Sequence, residues 1–483
     1  MLKLPEIGSH AAFKQLLSQR IHNTTSSGST RRSASWQPGS WLLIFHPLTK
    51  SCAPFYSEEG RPAWLPSSIL RSYLLSICLK STSLVDWAER LRSDESLAIL
   101  SGFSPDHTPS FASFYDFFHR LWPGCNNFLP HLRYRRKKPP KGKGNGEKSP
   151  SFDKDHAATI IKYFDGHGAG GILKSKLSII GKIFSRIFLA GSMHKGLLNT
   201  KKLVLAGDGT PVVVSNRERS HSTCDCHKQG IDKCCHKRWF SQPDANWGWD
   251  SSRNFFYYGY NLYLFTDANS GLPVFPVLER ASRHDLPAML HGLACIKAFF
   301  SDWNISALIL DSAHDAAAVY KMCSKSNITP FIDLNPRGTK SAEDKGYTVG
   351  DDGVPICPLG LPMKSNGTDK KRHRAKYICP KTKYAERLCL CDNRCTKSTY
   401  GRVVNINLKD DPRLFCDPPR GSSQWKQAYN KRTSAERANK RIKIDGLLEE
   451  GRHRSSMMWY IRLFAILSVI HIDAWHERKC ESA

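Results

Sequence analysis

"YNKRTSAERANKRIK" occupies residues 429–443, inside a stretch bounded by Gly421 and Gly446 that has no proline and no internal glycine. With neither breaker present, a continuous helix is expected. Between Ser422 and Ile444 there are seven Lys or Arg residues and one acid, Glu436. At about 100° per residue, Tyr429, Arg432, Glu436 and Lys443 fall within about 60° of one another. The plain explanation of Glu436 is charge pairing with Arg432 and Lys440, four residues to either side. Pairing does not explain why tyrosine, arginine and lysine share a face with the only anion.

The rest of the chain has the same sign. It has 483 residues and a net charge of +28, enough length for two or three domains and at least one large core. Hydrophobic residues make up 40%, which excludes a disordered chain. Bases spread this widely call for an extended polyanion, with nucleic acid the first candidate and an anionic membrane the second. No apolar run is expected to reach the roughly 18 residues of a spanning helix. The best two, 178–191 and 461–475, are interrupted by Lys, Arg or His. The start, "MLKLPEIGSHAAFKQLL", lacks the apolar core of a secretion signal. The expectation is an intracellular, cytoplasmic protein associated with the nucleoid and not with a membrane.

Residues 1–44 are rich in Ser, Thr and Arg and are expected to be poorly ordered. Helical periodicity then runs through "SSILRSYLLSICLK", "STSLVDWAERLRSDESLAIL" and "TPSFASFYDFFHRL", so 45–132 reads as a helical domain. "RYRRKKPPKGKGNGEK" at 133–148 places eight bases and one acid among Pro and Gly. It reads as a linker within 133–199, and either a phosphate-tracking arm or a solubilising charge run.

After residue 200 strand patterns appear. "KLVLAGDG" ends in what reads as a turn; "FFYYGYNLYLFTD" and "GLPVFPVLE" read as paired strands; "ISALILD" and "ITPFIDL" alternate with helices. Together these predict an α/β fold, a mixed sheet flanked by helices, over 200–335 and 421–483. Residues 336–420, rich in Cys, Lys, Asp and Gly, break the rhythm and read as an inserted subdomain. No internal repeat is evident.

Asp208 and Asp311 each end a strand pattern. A turn at Asp208-Gly209 and a helix cap at Asp311 are adequate plain explanations taken singly. Taken with Glu436 they suggest more. Acids at the carboxyl ends of strands occupy the usual position for chemistry in α/β sheets. Three such acids can hold two divalent cations about 3.5–4 Å apart for in-line phosphodiester chemistry. Hard oxygen ligands suit Mg²⁺ or Mn²⁺.

These segments resemble the DDE transposases of the IS4 type. The last helix carries that family's tyrosine–arginine–glutamate–lysine signature in Tyr429, Arg432, Glu436 and Lys443. "LVLAGDGTPV" resembles the first-aspartate segment, "LILDSAHDAAAVYKMC" the second, and "SFASFYDFFHRL" the N-terminal DNA-binding segment. The resemblance covers roughly 65–130 and 200–470. It implies a ribonuclease-H-like core interrupted by a β-rich Cys-containing insertion, with an all-helical N-terminal domain. It also implies a catalytic and metal-binding triad of Asp208, Asp311 and Glu436 with two Mg²⁺ or Mn²⁺ ions.

The implied partners are double-stranded DNA, as terminal inverted repeats and target, and a second copy of the chain at least. Arg432 and Lys443 are expected to clamp the DNA backbone and Tyr429 to contact a phosphate or stack on a displaced base, with Arg437, Lys440 and Arg441 as generic contacts or solvated charges. His314 stands where relatives usually have tyrosine, and Asp315 competes with Asp311 as the second ligand. A non-catalytic DNA-binding regulator derived from a transposase is the alternative, and a zinc-dependent RNA-binding protein is a third reading.

Two cysteine clumps remain. "CDCHKQGIDKCCH" holds Cys224, Cys226, Cys234 and Cys235 with His227 and His236, ligand types that suit zinc although the spacing is not that of paired Cys-x-x-Cys knuckles. The other choice is a reduced, flexible loop. Cys357, Cys379, Cys389, Cys391 and Cys395 in the insertion offer a second structural Zn²⁺ site. Cys78 and Cys295 read as small core residues. Asp285 reads as a helix-capping acid beside a surface His284. "NWGWD" and "FFYYGY" read as core and sheet packing.

Overall fold

The computed structural model describes residues 52–123, 156–173, 177–214, 220–221, 224–236, 239–335 without 241 and 243, 347–350, 354–407 without 370, 384, 385, 387 and 393, 413, and 416–481 without 452 and 454; residues 15, 19 and 48 are also described. The rest of the N-terminal segment 1–44, and the basic stretch 133–148, lie outside the described residues.

The N-terminal helices are α1 (Pro66–Cys78), α2 (Leu84–Ser93), α3 (Glu95–Ser101) and α4 (Phe111–Leu121). Local chemistry sets their ends. Ser83 accepts from the Asp86 amide to start α2, Asp94 accepts from Ser96 and Leu97 to start α3, and Gly102 closes α3 with a left-handed φ of 89°. In α4, Phe114, Phe117, Phe118 and Leu121 are buried at helical spacing. α5 (His156–Leu173) and α6 (Leu177–Ile183) follow, then a π-helical turn (Phe184–Leu189) and α7 (Ala190–His194).

The main sheet begins with β1 (Leu203–Val213). A short ladder of β2 (Ser220–His221) and β3 (Trp239–Phe240) comes next, then β4 (Asn246–Asp250), β5 (Phe255–Asp267), β6 (Pro273–Arg280), α8 (Asp285–Phe299), β7 (Ile305–Leu310), α9 (Ala317–Lys325) and β8 (Thr329–Ile332). β1 is antiparallel to β5 on one side and parallel to β7 on the other, and β8 adds in parallel beyond β7. The far edge of β5 carries β6 and β4 one after the other. The Asp208-Gly209 turn is not formed. β1 continues through it, because β5 pairs with residues 205–213 without interruption.

The intervening segment contains the short strands β9 (Thr348–Val349), β10 (Pro355–Ile356), β13 (Thr382–Lys383) and β14 (Leu388–Cys389). A three-stranded sheet forms from β11 (Lys364–Asp369), β12 (Arg374–Ile378) and β15 (Val403–Asn407). Val354, Met363, Tyr377, Val404 and Ile406 give it a small core of its own. Its stems are pinned by charge. Asp315, with no exposed side-chain surface, accepts from the Asn335 amide at 3.0 Å and from Arg413 at 2.7 Å. Buried Arg420 donates to the Ile332 carbonyl and to Tyr320 Oη.

The chain then forms α10 (Ser423–Tyr429), a 3₁₀ turn (Asn430–Arg432), α11 (Thr433–Lys440), a π turn (Arg441–Asp445) and α12 (Ser456–Glu481). Residues 423–445 are thus helical throughout, but the pitch changes three times, which a breaker-free sequence does not reveal.

α12 corrects the reading of the apolar runs. Residues 456–478 are long and apolar enough to cross a membrane, yet 89% of the qualifying window is buried inside the protein. Its polar groups bond inward: Arg462 to the carbonyls of Ser81 and Gly446, Tyr460 Oη to the Leu278 backbone, and His471 Nε2 to the Pro273 carbonyl. One continuous apolar core therefore joins the N-terminal helices, α12 and one face of the sheet.

Candidate active site

The register of the parallel strands sets up the site. β1 and β7 last pair at Ala206 and Ile309. Two residues further on lie Asp208, within β1, and Asp311, in extended backbone just past the end of β7. Side chains alternate along strands, so the faces can be read from their neighbours. Val204, Ala206, Ala307 and Ile309 pack in a small cluster with Trp425 and Ala435, beneath α10 and α11. By the same alternation Asp208 and Asp311 lie on the face those helices cover.

α11 is held down by small residues. Ala435 is fully buried against this cluster, and Ser434 Oγ meets Thr266 Oγ1 at 3.2 Å. The close approach brings Glu436 to the rim of the aspartates, its side chain 46% exposed. Arg432 Nη2 lies 2.7 Å from Glu436 Oε1, so the i, i+4 pairing exists. It does not exhaust Arg432, which also interacts electrostatically with Asp208 and Asp311.

The carboxylates repel one another. Asp208 is pushed up to about 6, first by burial and then by Asp285, Asp311 and Glu436, with Arg432 opposing. Asp311 is shifted the other way. Burial raises it, but His314 Nδ1 at 2.5 Å and the Ala313 amide at 3.1 Å hold it below the usual carboxylate range. Asp311 and Asp315 have different surroundings. Asp311 is one-third exposed beside Asp208, whereas Asp315 is enclosed and holds Asn335 and Arg413, on either side of the short-stranded segment.

Two neighbours were not identified from the sequence. Asn439, buried and one helical turn after Glu436, donates from Nδ2 to Asp208 Oδ2 at 3.1 Å. Its i+3 spacing from Glu436 was the available signal. Asp285 does not cap α8 through its side chain. It turns toward β1, accepts from Asn261 Nδ2 at 2.7 Å, and raises Asp208. This explains Gly209, where a Cβ would lie 2.1 Å from Asp285 Oδ1. Neither relationship is visible before β1 and α8 are brought together.

The residues expected to contact DNA differ in their surroundings. Arg437 and Lys440 are exposed, with Arg437 donating to Thr433 Oγ1. Arg441 is half-buried in the π turn. Tyr429 stacks on Trp425 at 4.6 Å and is half-buried. Lys443, expected to clamp the DNA backbone, has partners within the fold. Its Nζ donates to the Pro211 carbonyl at 2.7 Å and lies 3.4 Å from Glu449, which accepts from the Val213 amide. Beyond residue 206 β1 no longer pairs with β7, and Lys443 and Glu449 bind backbone groups there.

The aromatic reading also needs correcting. Trp247, Trp249 and Phe256 are 51%, 48% and 68% exposed, because cross-strand pairing puts them on one outward face of β4 and β5. In the short-stranded segment after β8, Cys357 joins the small apolar core, while Cys379 and Cys391 pack against each other; the side chain of Cys389 lies outside the described residues.

The family model described as "Transposase DDE domain" matches residues 199–468, more than half of the chain and every element of the carboxylate cluster. A second, "Transposase domain (DUF772)", matches residues 36–120, the helical N-terminal region. No curated protein matches significantly. With strands, acids and helix all inside the matched span, the chain belongs to the DDE-domain transposase family.

Proposed function

We propose that this chain is an IS4-type transposase with a ribonuclease-H-like core. In this reading it binds the terminal inverted repeats of an insertion sequence, cleaves DNA there and joins the freed 3′-hydroxyl to target DNA. The strand order β6-β5-β1-β7-β8, with its first three strands antiparallel and its last three parallel, supports the core assignment. The observation that carries the function is the convergence of Asp208, Asp311 and Glu436 from two strands and a helix.

The donor set fits divalent cations. It consists of carboxylate oxygens, and burial, reinforced by the negative charge of Asp285, Asp311 and Glu436, holds Asp208 well above an ordinary aspartate, an imbalance that a cation relieves. Bound there, Mg²⁺ or Mn²⁺ supplies activation of the attacking oxygen and charge stabilisation of the leaving oxygen. The protein's own part is positional. Asn439 orients Asp208, His314 and the Ala313 amide orient Asp311, and Arg432 orients Glu436 while offering donors to a phosphate.

Exposed Arg437 and Lys440 extend the positive surface along the same helix, and the helical region 45–132 is assigned to recognition of the repeats. Joining two ends requires at least a dimer on DNA. The location that fits is the cytoplasm, with the nucleoid.

The test is nicking of DNA carrying the element's ends in Mg²⁺ or Mn²⁺. Asp208→Ala and Glu436→Ala should each lower cleavage on the order of 10³-fold or more while leaving DNA binding intact. Unchanged cleavage in either variant overturns the reading. Binding without cleavage by the wild type in Mn²⁺ favours the non-catalytic regulator.

A further inference from the structure

Between β1 and β4 the chain makes an excursion whose strands, among the described residues, are the two-residue pair β2 and β3. At its tip Cys224, Cys226, Cys234 and His236 come together. Their ligand atoms all lie within 4.8 Å of one another, and among the described residues no other group of three or more His, Cys, Asp or Glu side chains does so. Cys224 Sγ and Cys234 Sγ are 3.6 Å apart, and Cys226 Sγ and His236 Nδ1 are 3.4 Å apart.

These spacings are informative. A disulfide requires about 2.05 Å between sulfurs, so the 3.6 Å separation is not one. Tetrahedral zinc with Zn–S of about 2.3 Å and Zn–N of about 2.0 Å puts neighbouring ligand atoms about 3.5–3.8 Å apart. Three thiols and an imidazole are the donors that select zinc over the hard cations suited to the carboxylate cluster. The fold also chooses among six candidate ligands in the sequence. Cys235 and His227 stand outside the group, leaving a Cys-x-Cys and a Cys-x-His arm. The turn between the arms is built to bring them together: a 3₁₀ turn at Cys226–Gln229 ends on Gly230 with a left-handed φ of 75°, and the Ile231 amide returns to the Cys226 carbonyl at 2.9 Å.

We infer that Cys224, Cys226, Cys234 and His236 form a closed structural Zn²⁺ site that clips the tip of the β1–β4 excursion. Binding displaces the three thiol protons to solvent and leaves no open coordination position, so the ion is structural and not catalytic. The tip it fixes presents Lys228 and Lys233 and joins the strand that carries Asp208. The site uses none of the acids of the active-site cluster, so either assignment can fail without the other.

The experiment uses the full-length chain. Protein purified after expression with added zinc should contain one tightly held zinc per chain after desalting. Replacement by Co²⁺ should give the sulfur-to-metal charge-transfer and tetrahedral ligand-field absorption of a three-thiolate site. Cys226→Ser and Cys234→Ser should lose both signals, while Cys235→Ser and Asp208→Ala keep them. His236→Cys, which preserves the clip, should retain one metal and shift the Co²⁺ spectrum toward that of four thiolates. Absence of stoichiometric zinc in the wild type, or unchanged Co²⁺ absorption in Cys226→Ser, overturns the inference.

Discussion

Asn439 Nδ2 donates to Asp208 Oδ2 across 3.1 Å, linking the helix that carries Glu436 to the strand that carries the first aspartate. Asn439 is buried, and its Oδ1 has no hydrogen-bond partner. A hydrogen bond to a charged group is worth about 1.5–3 kcal/mol, or roughly 10- to 100-fold in rate if it is used in positioning. Asn439→Ala should lower cleavage by that amount and raise the Mg²⁺ concentration needed for half-maximal rate. Titration of Mg²⁺ with both proteins checks it; an unchanged curve assigns Asn439 to packing alone.

Arg432 and Arg437 separate pairing at the site from generic charge. Arg432 is bound to Glu436 and sensed by both aspartates, whereas Arg437 is exposed on the helix surface. Arg432→Ala should cost about 10-fold or more in cleavage, because it removes charge-assisted donors from the cluster. Arg437→Ala should change cleavage less than about 3-fold at moderate salt, as expected for a solvated base. Single-turnover assays with saturating protein distinguish the two.

Gly209 and Asp285 compete for the same space. A methyl group at residue 209 would lie 2.1 Å from Asp285 Oδ1, so Gly209→Ala must displace the carboxylate. Overpacking of this kind costs about 1–3 kcal/mol, and thermal unfolding should show it. The double change Gly209→Ala with Asp285→Gly should recover most of the lost stability. If Gly209→Ala is neutral, the crowding at this point of β1 is wrong.

Asp311 and Asp315 lie four residues apart and should fail differently. Asp315→Asn breaks an enclosed ion pair with Arg413 and loosens the chain on either side of the short-stranded segment, costing about 3 kcal/mol. Limited proteolysis should then cut near residues 336–420 faster. Asp311→Asn, at a one-third-exposed position, should leave the melting temperature within a few degrees of wild type and abolish cleavage. The reverse pattern exchanges their roles.

The sequence was most legible where a pattern is local. Helical spacing in 66–121, the strand pair at 255–280 and the alternation from 285 to 332 depend on period and turn residues, and the structure has those elements. The pattern around Glu436 was legible because side chains on one face of a helix recur at fixed intervals. The turn expected at Gly209 was not correct, since pairing with β5 outweighs a local turn preference. The apolar run in α12 likewise gained its meaning from what surrounds it.

By itself the sequence determined a basic α/β protein with three candidate acids and a helical signature, because composition and period are properties of neighbouring residues. Only the tertiary structure decided that Asp208 and Asp311 share a face, that Asn439 and Asp285 attend the first of them, and that Lys443 binds a strand edge. It also gathered four side chains from a clump of six cysteines and histidines. Those outcomes depend on strand register and helix docking across hundreds of residues, where distance along the chain carries no information about distance in space.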